Sequence, residues 1–328
     1  MPPMHSSITD VAGIEVGHFS DTRRHTGCTV VLARGGAVGG VDVRGAAPGT
    51  RETDLLDPTN TVDRVHAVML AGGSAWGLDA AGGAMRWLGE HGIGLPVGRT
   101  HVPIVPAAVL FDLYLGDLSV RPDADAGYAA CAAASADAPA EGNVGAGSGA
   151  LVGKIFGMER AMKGGIGTAS VRVRGITVGA LVACNALGDV IDPATGRVLA
   201  GARTADGSAL LDARRAMLDG EVPTRVAPGS NTSIGVIATD AVLTKAEASR
   251  LATVGHDGFA RSINPAHTPL DGDALFALAT GRAGTAIDMM TLCTLAAEVV
   301  ALATVRAVTQ ARGIEADGVR IPAARDLP

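Results

Sequence analysis

The chain has 328 residues, 47% of them hydrophobic and 18% charged, with a formal net charge of −6. That balance supplies a sizeable core and excludes a disordered chain, and 61 Gly plus Pro without a G-X-Y period exclude collagen. An aromatic content of 3% and the lack of any Lys/Arg run argue against a nucleic-acid partner.

Short β-rich, almost continuously apolar runs recur at residues 28–33, 66–70, 171–173, 177–184 and 233–239, as expected of strands covered on both faces. Between them lie helical patterns. Ser74 is placed to cap a helix through Glu90, with Leu78, Met85 and Leu88 on one face and His91-Gly92 closing it. Residues 220–230 hold two prolines and two glycines, which argue for a loop, and lead straight into the apolar strand that begins near Asn231-Thr232-Ser233. Thr244 and Glu247 form a capping box that starts a helix, and residues 275–278 read as a strand. Ile287, Leu295, Val299 and Leu302 mark a long helix; its segment 289–305 is interrupted by Glu298 and reads as a core helix rather than a membrane span of ~18 uninterrupted apolar residues. Neither a linker nor a repeat divides the chain. The expected class is α/β in helix–sheet–sheet–helix layers, as a single domain over residues 1–328.

Several motif readings fail on spacing. Gly142 to Lys154 ends in Gly-Lys, but Ser148 stands where a phosphate loop needs Gly, and Ile155 where it needs Ser or Thr. Gly145-x-Gly147-x-x-Ala150 lacks the preceding strand of a dinucleotide site, and Trp76 breaks a nucleophile elbow at Ser74. Cys28, Cys131, Cys184 and Cys293 are far apart and match no metal spacing. The opening residues lack the basic and apolar regions of a signal peptide. The expectation is a soluble cytoplasmic protein that needs neither metal nor cofactor and has no membrane partner.

What remains is a hydroxyl residue at a loop-to-strand junction. Threonine is a poor nucleophile until a base takes its proton, and an N-terminal Thr carries its own base, an α-amine with a reference pKa of about 7.7–8.0. Thr232 becomes N-terminal if its hydroxyl attacks the Asn231 carbonyl and the resulting ester is hydrolysed. On composition alone, an ordinary Thr opening a strand is the competing reading.

The whole chain resembles the P1 family of N-terminal-nucleophile hydrolases, peptidase family S58, which includes L-aminopeptidase/D-amidase/D-esterases, β-aminopeptidases and the nylon-oligomer hydrolase. The resemblance rests on ordered blocks from end to end: Ile8-Thr9-Asp10-Val11-Ala12-Gly13-Ile14-Glu15-Val16-Gly17-His18, Arg44-Gly45-Ala46-Ala47-Pro48-Gly49-Thr50-Arg51-Glu52-Thr53-Asp54, Gly72-Gly73-Ser74-Ala75-Trp76-Gly77-Leu78, Val102 onward to Asp112, Gly142 to Lys154, Asn231 to Asp240, and His267-Thr268-Pro269-Leu270-Asp271-Gly272-Asp273. It implies the four-layer N-terminal-nucleophile sandwich and self-cleavage between Asn231 and Thr232 into chains 1–231 and 232–328. It further implies Thr232 as nucleophile and amine base, Asp271 and Asp273 as its supporting pair, and Lys154 and Asn185 close by, with the Asn185 amide a donor to the oxyanion. A Thr nucleophile with an Asp/Asp pair departs from the Ser members and is closer to the nylon-oligomer hydrolase; Ser233 is the fallback nucleophile. The implied partner is a small peptide or linear amide substrate, and the implied assembly a homo-oligomer, a dimer or tetramer of processed pairs. An acyltransferase of the ornithine acetyltransferase type, or a binding relative that never cleaves, are the alternatives.

Overall fold

A computed structural model describes residues 7–223 and 229–327. Thr224-Arg225-Val226-Ala227-Pro228, the middle of the proposed lead segment, lie outside the described residues.

Eight strands and five helices carry the architecture: β1 (Glu15–Ser20), β2 (Gly27–Val43), β3 (Arg64–Ala71), α1 (Ala80–Glu90), β4 (Ala107–Val109), α2 (Ala124–Ala132), β5 (Gly165–Val173), β6 (Ile176–Asn185), α3 (Ala213–Leu218), β7 (Thr232–Thr239), α4 (Lys245–Ser262), β8 (Ala274–Ala279) and α5 (Met289–Thr309). The organising element is β2. Its first half pairs antiparallel with β1 and β3; after a register shift between Leu32 and Ala37, its second half pairs antiparallel with β8. From there the order runs β8, β7, β6, β5, with β7 and β8 parallel and the rest antiparallel. On the other side β3 pairs parallel with β4.

Strand alternation turns this path into layers. Val31, Val68 and Leu70 share one buried cluster with Leu181, Ala183, Ile234, Val236, Phe276 and Leu278, so the two halves of the sheet face each other. The intervening residues point outward: Val30, Leu32, Ala67 and Met69 pack on α1 and α2, while Val182, Ile237, Leu275 and Ala277 pack on α4 and α5. Three cores between four layers give the helix–sheet–sheet–helix sandwich. α5 is long and apolar enough to cross a membrane, yet Leu292, Ala296, Val299, Val300, Ala303 and Ala307 bury it against the sheet.

Three readings of the sequence need adjustment. The helix expected from Ser74 begins as a 3-10 turn, Ser74–Asp79, and only then becomes α1; Ser74 takes a left-handed φ of 54° and caps nothing. Ile287 precedes α5, which Asp288 caps through the Thr291 N–H. The strand read at 28–33 continues to Val43, because the glycines that look like breakers serve packing instead. A Cβ at Gly40 would stand 2.4 Å from the Ala248 backbone, so only glycine lets α4 lie this close over β2. The α4 capping box is formed as expected, with Glu247 accepting the Thr244 N–H at 2.8 Å.

Candidate active site

Two neighbouring strand ends build the site. Asn185 is the last residue of β6, Thr232 the first of β7, and the antiparallel register sets them opposite each other. Parallel bridging of Asn231 with Asp271 brings in the turn before β8. That turn is pinned from its far side: the Ala47 N–H donates to Asp271 O at 2.9 Å, and the Arg44 and Gly45 N–H groups to Asp273 O at 3.0 Å. The pairing of β7 with both neighbours therefore fixes Asn231, Thr232, Asp271 and Asp273 before any side chain is considered.

Thr232 is buried, and its Oγ1 donates to the carbonyl oxygen of Asn231. The same oxygen accepts the Gly272 N–H at 2.9 Å. Close approach demands the glycine: a Cβ at residue 272 would stand 2.8 Å from Thr232 Oγ1 and 2.6 Å from Ala47 O. Asp273 reaches the next residue, its Oδ1 accepting the Ser233 N–H at 2.7 Å, while its Oδ2 lies 2.8 Å from His267 Nδ1. Asp271 turns its carboxylate to Thr268, accepting from both N–H and Oγ1 at 2.8 and 2.7 Å. Burial, and then the Asp273 charge, hold Asp271 above the usual carboxylate range against the Thr268 hydrogen bonds and Lys154.

Lys154 follows Gly153 and is completely buried. Its Nζ donates to Asn185 O and Asn185 Oδ1, each at 2.9 Å, and to Ser230 O at 3.2 Å. Burial pulls its pKa down to about 7, opposed by Asp271, Cys184 and Asp273. Asn185 is likewise fixed: Oδ1 also accepts the Leu151 N–H at 2.9 Å, and Nδ2 donates to Phe111 O at 3.0 Å. An amide nitrogen has two N–H groups, and this bond uses one. The segment from Gly142 to Lys154, which resembled a phosphate loop, thus delivers an amine and a backbone N–H to this site.

All five side chains singled out in the sequence (Lys154, Asn185, Thr232, Asp271, Asp273) meet here, around the Asn231–Thr232 peptide bond. Ser233, the fallback nucleophile, faces away, with Oγ 4.0 Å from Cys184 Sγ and the helix-side core around it. Sequence patterns miss three participants. Tyr114 donates to Ser230 O at 3.1 Å and stacks edge-on to Phe111, with the Lys154 amine 5.7 Å from its ring; as one of only two tyrosines, it carries a signal in its scarcity. His267 stands inside a quoted block without a role. The Gly272 N–H has no sequence signal beyond being glycine between two aspartates.

The arrangement has the parts that acyl chemistry at one hydroxyl requires: a buried hydroxyl, a backbone donor on the adjoining carbonyl, two carboxylates and a buried amine whose pKa burial lowers to about 7. Similarity to known proteins agrees. The sequence profile of peptidase family S58 matches residues 6–321. An uncharacterised aminopeptidase of Mycobacterium tuberculosis H37Rv is 51% identical over 291 residues, covering 84% of this chain and 82% of that one. A 6-aminohexanoate-oligomer endohydrolase of Paenarthrobacter ureafaciens is 32% identical over 275 residues, covering 83% and 74%. Among solved structures, a Burkholderia sp. β-aminopeptidase superposes with a TM-score of 0.72 at 24% identity over 98% of this chain and 91% of that one. The L-aminopeptidase D-Ala-esterase/amidase of Ochrobactrum anthropi, described as a variant of the N-terminal-nucleophile hydrolase fold, gives 0.70 at 21% over 98% and 92%. The chain belongs to peptidase family S58, hydrolases of amide and peptide bonds, and carries them on the N-terminal-nucleophile sandwich.

Proposed function

We propose that the chain processes itself between Asn231 and Thr232 and then acts through Thr232 as an amide hydrolase on small peptides or linear amides, 6-aminohexanoate oligomers included. The observation that carries this reading is the scissile bond itself: the Thr232 hydroxyl sits on its own upstream carbonyl, and the Gly272 N–H already donates to that oxygen.

In the first step Thr232 Oγ1 bonds to the Asn231 carbonyl carbon and gives up its proton, and the Gly272 N–H steadies the negative charge that develops on oxygen. The C–N bond then breaks as the Thr232 nitrogen takes a proton, leaving an ester. Water cleaves the ester to an Asn231 carboxylate and a free Thr232 amine. Lys154, poised near pKa 7 and bonded to Ser230 O, is the group beside this bond able to hold or release a proton there.

In turnover the new amine takes the Thr232 hydroxyl proton as the oxygen attacks a substrate carbonyl. The proton passes to the departing amine, and water resolves the acyl-enzyme by the reverse route. Asp273 and Asp271 orient the amine and favour its charged form. The second N–H of Asn185 is the side-chain donor assigned to the tetrahedral oxyanion.

The test is a panel of aminoacyl p-nitroanilides and 6-aminohexanoate oligomers, assayed with and without an added amine acceptor. Release of free acid that the acceptor barely diverts supports hydrolysis; near-complete acyl transfer to the acceptor would make the protein an acyltransferase.

A further inference from the structure

His267 combines three observations that the proposed chemistry leaves unused. Its Nδ1 is 2.8 Å from Asp273 Oδ2, and opposite a carboxylate acceptor this nitrogen is the protonated one. Asp273 passes the contact on through its other oxygen to the Ser233 N–H, one residue beyond the nucleophile. The residue is also held at a left-handed φ of 53°, a conformation that costs a side-chain-bearing residue energy and that the surrounding contacts must enforce. Finally, Nε2 is buried and has no hydrogen-bond partner among the described residues, while the ring packs edge-on against His256 with centroids 4.9 Å apart.

Several charged groups surround this imidazole. Asp273 lies on its own turn, with Asp271 and Lys154 beyond it. His256 projects from α4, and its Nε2 donates to Asp42 O at 3.1 Å, with Asp42 Oδ1 at 3.5 Å. Arg44, from the end of β2, opposes a positive charge on the ring. Burial lowers the His267 pKa, but the Asp273 hydrogen bond and charge, with the nearby His256 backbone, outweigh it and hold the group above the ordinary histidine value.

We propose that His267 is a positioning residue: it clamps Asp273 through Nδ1 so that this carboxylate holds the start of β7, where Thr232 stands. The inference rests on the proposed function of Thr232. A mere scaffold would not need a hydrogen bond through Nδ1.

The test compares wild type with His267→Gly and His267→Asn, on L-alanine p-nitroanilide across pH 5–10. Glycine and asparagine both accept a left-handed φ, so backbone strain is matched, and the Asn amide nitrogen replaces Nδ1 as donor. Thermal melts confirm that each variant is folded. The Gly variant is expected to lose about 10-fold or more in kcat with KM within about 3-fold, and Asn to recover most of that loss, on the scale of general-base contributions. A Gly variant as active as wild type, or an Asn variant no better than Gly, would each overturn the role. Wild-type protein that neither splits nor turns over substrate would instead overturn the Thr232 reading, and this inference with it.

Discussion

Lys154 and Lys163 are both completely buried, and burial pulls each pKa to about 7, yet they serve different ends. Lys154 lies beside the Asn231–Thr232 bond, through Ser230 O. Lys163 donates to three backbone carbonyls, Gly147, Ala150 and Gly164, and so braces the loop whose Leu151 N–H holds Asn185. The unfolded chain keeps lysine protonated to about 10.4, so between pH 7 and that value it binds more protons than the folded one, and stability rises with pH. The three buried thiols, raised by burial, oppose this only above about pH 8.5, where unfolded cysteine ionises. Urea melts at pH 7.0 and 8.5 should therefore show wild type gaining up to about 1.4 kcal/mol per pH unit from Lys163, a gain missing in Lys163→Met. That variant should also be less stable at both pH values, by about 2 kcal/mol or more, since the carbonyls that a charged amine serves three at a time, and a neutral one two, lose their donor at roughly 1–3 kcal/mol each. An unchanged pH slope would contradict the buried-amine account. At the nucleophile, Asp271→Asn with Asp273→Asn removes negative charge, so the acid limb of kcat/KM should fall to lower pH while activity drops about 10²-fold. A processed, folded double variant with near wild-type activity would remove the pair from the mechanism.

At the scale of elements, the legible parts are those whose signal is local. The Thr244/Glu247 box, the apolar runs of β6 and β7 and the amphipathic length of α5 announce themselves within a few residues. The second half of β2 does not, because Gly39-Gly40 reads as punctuation until α4 is known to lie over it. Gly40→Ala would drive a Cβ into the Ala248 backbone, and overpacking of this kind costs about 1–3 kcal/mol. A fall in Tm for Gly40→Ala, absent for Gly89→Ala at an exposed helical position with room for the Cβ, is the expected outcome; equal melts would show that α4 has room to move. The site follows the same division. Asp271 and Asp273 stand out as a pair in the sequence, whereas the Asp273–His267 contact and the Gly272 N–H on Asn231 O exist only once the turn closes against β7.

For the whole molecule, cleavage at Asn231–Thr232 would not separate the products. The second piece contributes β7 and β8 from the middle of the sheet, hydrogen-bonded to β6 and β2 of the first, and α4 and α5 cover one of its faces. The two pieces should co-elute in native chromatography and part only in denaturant; separation under native conditions would contradict this packing. We expect the processed pairs to assemble into a closed dimer or tetramer, a state that sedimentation at micromolar concentration distinguishes from a lone pair. Exposed apolar side chains such as Leu218, Val222 and Met290 give such contacts material, at 75%, 82% and 81% exposure. The layer order was legible because nearly every strand is apolar on both faces. The bend that lets one strand serve both halves of the sheet was not, since it depends on pairing between residues far apart in sequence.

The central claim is that Thr232 cuts its own upstream peptide bond, and intact mass spectrometry tests it most directly. Wild-type protein should give two masses, for residues 1–231 and 232–328, and Thr232→Ala a single full-length chain. Full-length wild type after prolonged incubation, or a Thr232→Ala protein split at the same bond, would contradict it.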